Sequence, residues 1–453
     1  MLENYSQELQ KTLKKENITA GQKISIKNGN TRYDGFLMPK SAGDPNIIVL
    51  KLANGYNIGL AFTPGMKIRK QQDKRTLEKR KTGSGKYKPD PGKPTITLLH
   101  TGGTFASRVD YKTGAAYPAF TPEELFFAIP EAGKIANFNT RVVFQMFSED
   151  MEPEHWILLA KKIAQEIEET KPDGIIVTHG TDTMIFTTAA ISLMLQNLSI
   201  PVIFVGAQRS SDRSSSDAWM NLMCAAQFIA KSDFSGVALC MHGSVNDDFC
   251  YILDGLHIKK MHSSRRDSFR SVDVLPYAKA FSDGTVEYLR NDYQRKDKAR
   301  KLNALERFDR RVAIVKIYPG VDHRIFDFLH NSGFRGVIIE GTGLGNAPVN
   351  VIDDYTKHHG DFLAAIKRTV DRGVVVCMTS QCAYGKASLN VYSSGRKLLE
   401  AGVVPIASTT EAAYVKLGWA LAHTKDAKEV KKMMLTNYAG EILERIDPRA
   451  FLF

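Results

Sequence analysis

From Thr95 onward the chain alternates short runs of β-branched and aliphatic residues with longer amphipathic stretches, and few folds accommodate that alternation. Thr95-Ile96-Thr97-Leu98-Leu99 and Gly174-Ile175-Ile176-Val177 are near-continuously apolar. Such runs belong to strands covered on both faces, as in a parallel sheet flanked by helices. Strands are predicted at 96–100, 142–147, 174–178, 202–205 and 237–241, and helices at 121–128, 152–169, 183–196 and 217–230. The class is α/β, with a doubly wound parallel sheet. After a basic stretch the pattern resumes with strands at 312–317, 336–340, 374–378 and 404–407, which predicts a second, smaller α/β domain.

The first 94 residues read differently. Residues 1–15 are predicted helical, with Leu2, Tyr5, Leu9 and Leu13 on one face. Strands follow at 22–27, 32–38, 46–52 and 56–62, and Asn54-Gly55 is a type I′ hairpin signal between the last two. The predicted organisation is a small β-barrel-like domain (1–66), a basic linker (67–94) and a large α/β domain (95–294). A second linker (295–311), a smaller α/β domain (312–425) and a terminal helix and tail (426–453) complete it. Of the net charge of +12, much lies in 67–93, with eleven Lys and Arg against Asp73, Glu78 and Asp90. That block attracts a polyanion in a salt-dependent way, or is a solvated connector.

Composition excludes several classes. With 43% hydrophobic residues the chain has ample material for packed cores. No apolar run approaches the roughly 18–20 residues that span a bilayer, and the polar, acidic start is unlike a signal peptide. Cys224, Cys240, Cys250, Cys377 and Cys382 are few and odd in number, which predicts reduced, buried thiols in a cytoplasmic protein. Cys377 and Cys382 have no second ligand pair, so no metal site is expected.

Polar and glycine-rich residues follow the predicted strands in five places. They are Thr101-Gly102-Gly103-Thr104, Ser148-Glu149-Asp150, His179-Gly180-Thr181-Asp182-Thr183, Gly206-Ala207-Gln208-Arg209 and Gly341-Thr342-Gly343-Leu344-Gly345. Ligands of open α/β sheets collect at this edge. Hydroxyls, a carboxylate and glycines that admit close backbone approach suit nucleophilic attack on a carbonyl.

The paired Thr-Gly-Gly-Thr and Thr-His-Gly-Thr-Asp-Thr-Met signatures resemble those of the L-asparaginase/glutaminase family. The likeness runs through Val205-Gly206-Ala207-Gln208-Arg209, Leu253-Asp254-Gly255 and 341–346, over roughly 95–425. It implies an asparaginase-like two-domain fold with parallel sheets and hydrolysis of side-chain amides without metal. By the same resemblance Thr104 is the primary nucleophile, Tyr117 its partner on a lid at 107–118, and Thr181, Asp182 and Lys260 a second triad. Ser148 binds the substrate's α-carboxylate, Asp182 its α-amino group, and Gly103 and Gly180 lie against the substrate. Lys260 is placed by counting from Asp254-Gly255, with Lys259 one residue away. Which threonine attacks first stays open.

The long N-terminal extension and the segment from Phe105-Ala106-Ser107-Arg108 to Tyr117-Pro118-Ala119-Phe120 resemble the D subunits of archaeal tRNA-dependent amidotransferases. This implies a glutaminase that passes ammonia to a second protein of the complex, the archaeal E subunit. That partner uses ATP and Mg²⁺ to turn Glu-tRNA(Gln) into Gln-tRNA(Gln). No GxxxxGK[ST] occurs here, so no cofactor is expected in this chain and the nucleotide belongs to the partner. The family's homodimer is implied as well, with Ser380-Gln381-Cys382-Ala383-Tyr384-Gly385 a candidate for the contact. Two other readings are a stand-alone L-asparaginase with an added N-terminal domain, and an RNA-binding scaffold with a dead site.

Overall fold

The computed structural model describes residues 2, 4–40, 44–52, 57–63, 65–71, 89–103, 107–109, 116–118, 130–209 and 215–453. The Asn54-Gly55 turn, the helix expected at 121–128 and most of the basic stretch lie outside them.

The N-terminal module is one antiparallel sheet of five strands, Lys23–Asn28, Thr31–Leu37, Ile47–Lys51, Asn57–Ala61 and Lys67–Lys70. Its core is Ile24, Ile26, Leu37, Ile48, Leu50 and Ile68 beneath Leu9 and Leu13 of the helix Gln7–Lys15. Leu2 and Tyr5 join that core from ahead of the helix, because the Ser6 hydroxyl caps it by accepting from Leu9 N. The last strand corrects the expected boundary at 66. Ile26 pairs with Ile68, so 67–70 belongs to the sheet, its inward isoleucine flanked by outward cations.

Five parallel strands form the centre of the large domain, in spatial order Phe234–His242, Pro201–Val205, Gly174–Thr178, Thr95–Gly102 and Asn137–Met146. Asn137–Met146 starts earlier than expected because Asn137 and Phe138 pair with Thr95 and Ile96. Beyond Phe234–His242 the sheet continues antiparallel through Cys250–Asp254, Ala278–Ala280 and Val286–Tyr288. Helices Pro153–Glu169 and Met184–Met194 cover one face and Ala218–Lys231 the other.

The smaller domain has four parallel strands in chain order, Val312–Lys316, Gly336–Gly341, Val375–Ser380 and Val404–Pro405. Its helix Thr410–His423 packs on Met184–Met194, so the latter is buried on nearly every side. Residues of both domains thereby share one core, from Ile191 and Leu193 to Cys377, Leu417 and Trp419. The stretch expected as a linker at 295–311 is bound rather than free. Asn303–Ala304 pairs with Leu195–Gln196, and Arg300 donates to Leu198 O at 2.8 Å. All five cysteines are free thiols, and Cys382, against expectation, is exposed on the small-domain loop.

Candidate active site

Three strand-end turns of the large domain meet so tightly that two of them admit only glycine. Gly102 and Gly103 take φ of +109° and +75° as the chain leaves Thr95–Gly102. A Cβ on Gly103 would lie 2.4 Å from Gly180 Cα, and one on Gly180 would lie 2.7 Å from Ser148 Oγ. Gly103 N donates to Met146 O at 2.9 Å, and its lack of a side chain lets this turn close on Gly180. The Thr101 hydroxyl donates to Thr178 O at 2.8 Å and ties the two central strands together.

Ser148 is buried against the second signature. Its Oγ accepts from Asp182 N at 3.2 Å, and its carbonyl accepts from the Thr183 hydroxyl at 2.6 Å. The helix Pro153–Glu169 is capped by Glu152, in a reciprocal box with His155.

Lys260 ends the short strand Ile258–Lys260, and its Nζ donates to Thr181 Oγ1 at 2.9 Å and to Asp182 Oδ1 at 2.6 Å. Thr181 is buried, while the Asp182 side chain keeps 64% of its exposure. A hydroxyl held by an ammonium-bearing side chain, beside a carboxylate open to solvent, can exchange protons with a bound substrate. Lys259 faces elsewhere, 3.3 Å from Glu411. Of the other expected residues, Thr104 lies outside the described residues. Tyr117 lies on the strand Ala116–Pro118, opposite Arg108 of Ser107–Val109.

Two imidazoles underlie these turns. Burial pushes His179 down to about 4, against the pull of the Gly180 carbonyl, and the ring sits between Gly180 O (2.6 Å) and Met151 Sδ (3.2 Å). Burial likewise holds His100 at about 4, with Nδ1 2.5 Å from Thr178 Oγ1. Each ring stays neutral in the folded chain down to about pH 4 but takes a proton near 6.5 when unfolded. The unfolded state therefore binds more protons in between, and stability falls as pH drops through that window. Urea midpoints measured from pH 7.5 to 4.5 are expected to fall steadily, and less so in His179→Gln. A flat profile would mean that the rings are charged in the fold.

Sequence reasoning missed two carboxylates. Asp217 stands at the start of the helix expected at 217–230, and its buried carboxylate accepts from Gln208 N and Arg209 N, both at 3.0 Å, which fixes the turn after Pro201–Val205. Burial raises its pKa, and the amides of the turn oppose that. Gln208 in turn donates to Ser268 Oγ at 2.6 Å, on the hairpin that carries Lys260. Glu411 gives no local signal at all. In the smaller domain Ser380 Oγ donates to Gly343 O at 2.6 Å, which ties two glycine-containing loops together. Among the described residues no three His, Cys, Asp or Glu side chains converge as metal ligands. Nor is any helix among them long and apolar enough to cross a membrane.

Residues 95–294 match the family described as Asparaginase, N-terminal, and 311–434 match the Glutaminase/Asparaginase C-terminal domain. Residues 18–70 match the GatD N-terminal domain, which places its end where the fifth strand ends. The chain is 48% identical over 439 residues to the D subunit of the glutamyl-tRNA(Gln) amidotransferase of Pyrococcus furiosus, covering 95% of each. It is 40% identical over 450 residues to the corresponding D subunit of Methanopyrus kandleri, covering 98% of this chain and 95% of that one. Among solved structures, the thermostable L-asparaginase from Thermococcus kodakarensis superposes with a TM-score of 0.67 at 30% identity. That likeness covers 77% of this chain and 99% of the other.

Proposed function

The chain belongs to the family of glutamyl-tRNA(Gln) amidotransferase D subunits, and from that premise we propose that it is the glutaminase of such a complex. The observation that carries the chemistry is the reach of Lys260 to both Thr181 and Asp182 beside the Ser148 and Gly180 turns. In this reading Ser148 takes the α-carboxylate of glutamine and Asp182 its α-amino group. Thr104, partnered by Tyr117, attacks the side-chain amide carbon. The hydroxyl oxygen forms an ester to that carbon, the C–N bond breaks, and nitrogen leaves as ammonia with the proton it has gained. Thr181, Asp182 and Lys260 relay protons and activate the water that frees glutamate and regenerates the hydroxyl. In this reading backbone N–H groups at the glycine-rich turns stabilise the oxyanion.

The ammonia passes to the E subunit, which activates the glutamyl group of Glu-tRNA(Gln) with ATP and Mg²⁺ and releases Gln-tRNA(Gln). This chain itself uses no cofactor, pairs with a second copy of itself, and acts in the cytoplasm. Glutamine and asparagine differ by one methylene, which a pocket discriminates by only about 1–3 kcal/mol. Coupling to the partner therefore supplies the remaining selectivity.

The test is ammonia release from glutamine and from asparagine, by the chain alone and then with the E subunit and Glu-tRNA(Gln). Weak basal activity that rises at least roughly tenfold for glutamine in the full complex is expected. Full activity on asparagine, indifferent to partner and tRNA, would make the chain an L-asparaginase with an added N-terminal domain.

A further inference from the structure

The lysine of the triad stands on a slender support. Ile258–Lys260 pairs only with Phe269–Ser271 among the described residues, and this two-stranded hairpin lies off the main sheet. Its backbone is fixed by a few contacts, such as Val272 N to His257 O at 2.8 Å and Met261 N to Ser268 O at 2.7 Å. Adjacent residues of a strand point to opposite faces, so Lys259 faces away when Lys260 faces Thr181 and Asp182. Behind the strand stands the first turn of Thr410–His423, from the smaller domain.

Two groups of that turn hold the segment. The Thr409 hydroxyl, which caps the helix by accepting from Ala412 N, donates to Leu256 O at 3.4 Å. Glu411 Oε1 lies 3.3 Å from Lys259 Nζ, with both side chains largely buried at 15% and 24% exposure. The other oxygen of Glu411 is buried without a partner among the described residues. An oxygen left so costs desolvation, which the pair with Lys259 must offset, so the carboxylate is bound tightly to one side of the strand.

We propose that Glu411 and Lys259 are a positioning pair: the smaller domain grips the back of the strand and thereby sets the reach of Lys260. Neither residue touches substrate or the reacting atoms. The inference rests on the reading of Lys260 as a triad member. A misplacement of about 1 Å in a reacting group costs up to about 10²-fold in rate, so a loosened strand is felt in turnover before it is felt in binding.

The experiment measures glutamine hydrolysis by the full-length chain together with its thermal unfolding. Glu411→Gln and Lys259→Met are each expected to lower kcat roughly tenfold with KM within about twofold. The double variant is expected to be no slower than the slower single one, because both act through one contact. Glu411→Asp restores part of the rate. Unchanged kcat, additive losses, or a rise in KM alone would overturn the inference. Should Glu411→Gln fail to fold, Lys259→Met and Glu411→Asp carry the same comparison. Lys260→Met is the control: an active Lys260→Met overturns the triad reading, and an inactive one beside unaffected Glu411 and Lys259 variants overturns the positioning pair alone.

Discussion

Lys260→Met lowers ammonia release from glutamine by at least roughly 10²-fold, and Thr181→Val does the same. Methionine keeps the apolar stem of lysine as far as Cε but removes Nζ and both its hydrogen bonds, the one to Thr181 at 2.9 Å and the one to Asp182 at 2.6 Å. Valine keeps the shape of Thr181 and deletes its hydroxyl. A threonine hydroxyl is inert until its proton has somewhere to go, and in this chain the nearest acceptor system is that lysine and its carboxylate. Because the two residues act as a unit, the double variant is expected to be little worse than either single one. Near wild-type rates in folded single variants would remove both from the mechanism.

The second large effect is on stability. Glu441→Gln is expected to cost about 3–5 kcal/mol, the range for breaking one side of a fully buried ion pair. Lys416 and Glu441 both have fully buried side chains, 2.6 Å apart. Burial pushes the lysine's pKa down, and the carboxylate opposes it. Glu441 also accepts from Tyr438 N and Ala439 N, while Lys416 donates to Met434 O. Between them they pin the turn whose Gly440 carbonyl accepts from His257 Nε2 at 2.7 Å, just ahead of the Lys260 strand. The loss reads out as a lower urea midpoint at unchanged m. Lys416→Met combined with Glu441→Leu, which leaves no stranded charge, is expected to lie closer to the parent than Glu441→Gln. A cost below about 1 kcal/mol for Glu441→Gln would mean that water reaches the pair.

Strands covered on both faces were the most legible part of the chain, since burial on both sides makes an uninterrupted apolar run such as 174–178. The strand at 67–70 escaped because a single isoleucine among three cations has no visible period. Ala278–Ala280 and Val286–Tyr288 are three residues each, too short for any period to show. Ser148, Thr181 and Asp182 were legible because a parallel sheet exposes its strand ends at one edge. Lys260 was reachable only by counting, and its distinction from Lys259 depends on which face of a three-residue strand looks inward. Asp217 and Glu411 were hidden for another reason: their partners are brought to them by the fold and not by the neighbouring sequence.

The helix Met184–Met194, walled by the large sheet on one side and Thr410–His423 on the other, makes the visible seam near residue 311 a poor place to divide the chain. Cut there, neither piece would be a self-contained body. The first would lose the cover over Phe186 and Phe308, and the second the cover over Tyr414, whose ring packs on both. A hinge at this seam would have to open that apolar core, so the two α/β bodies are expected to travel as one.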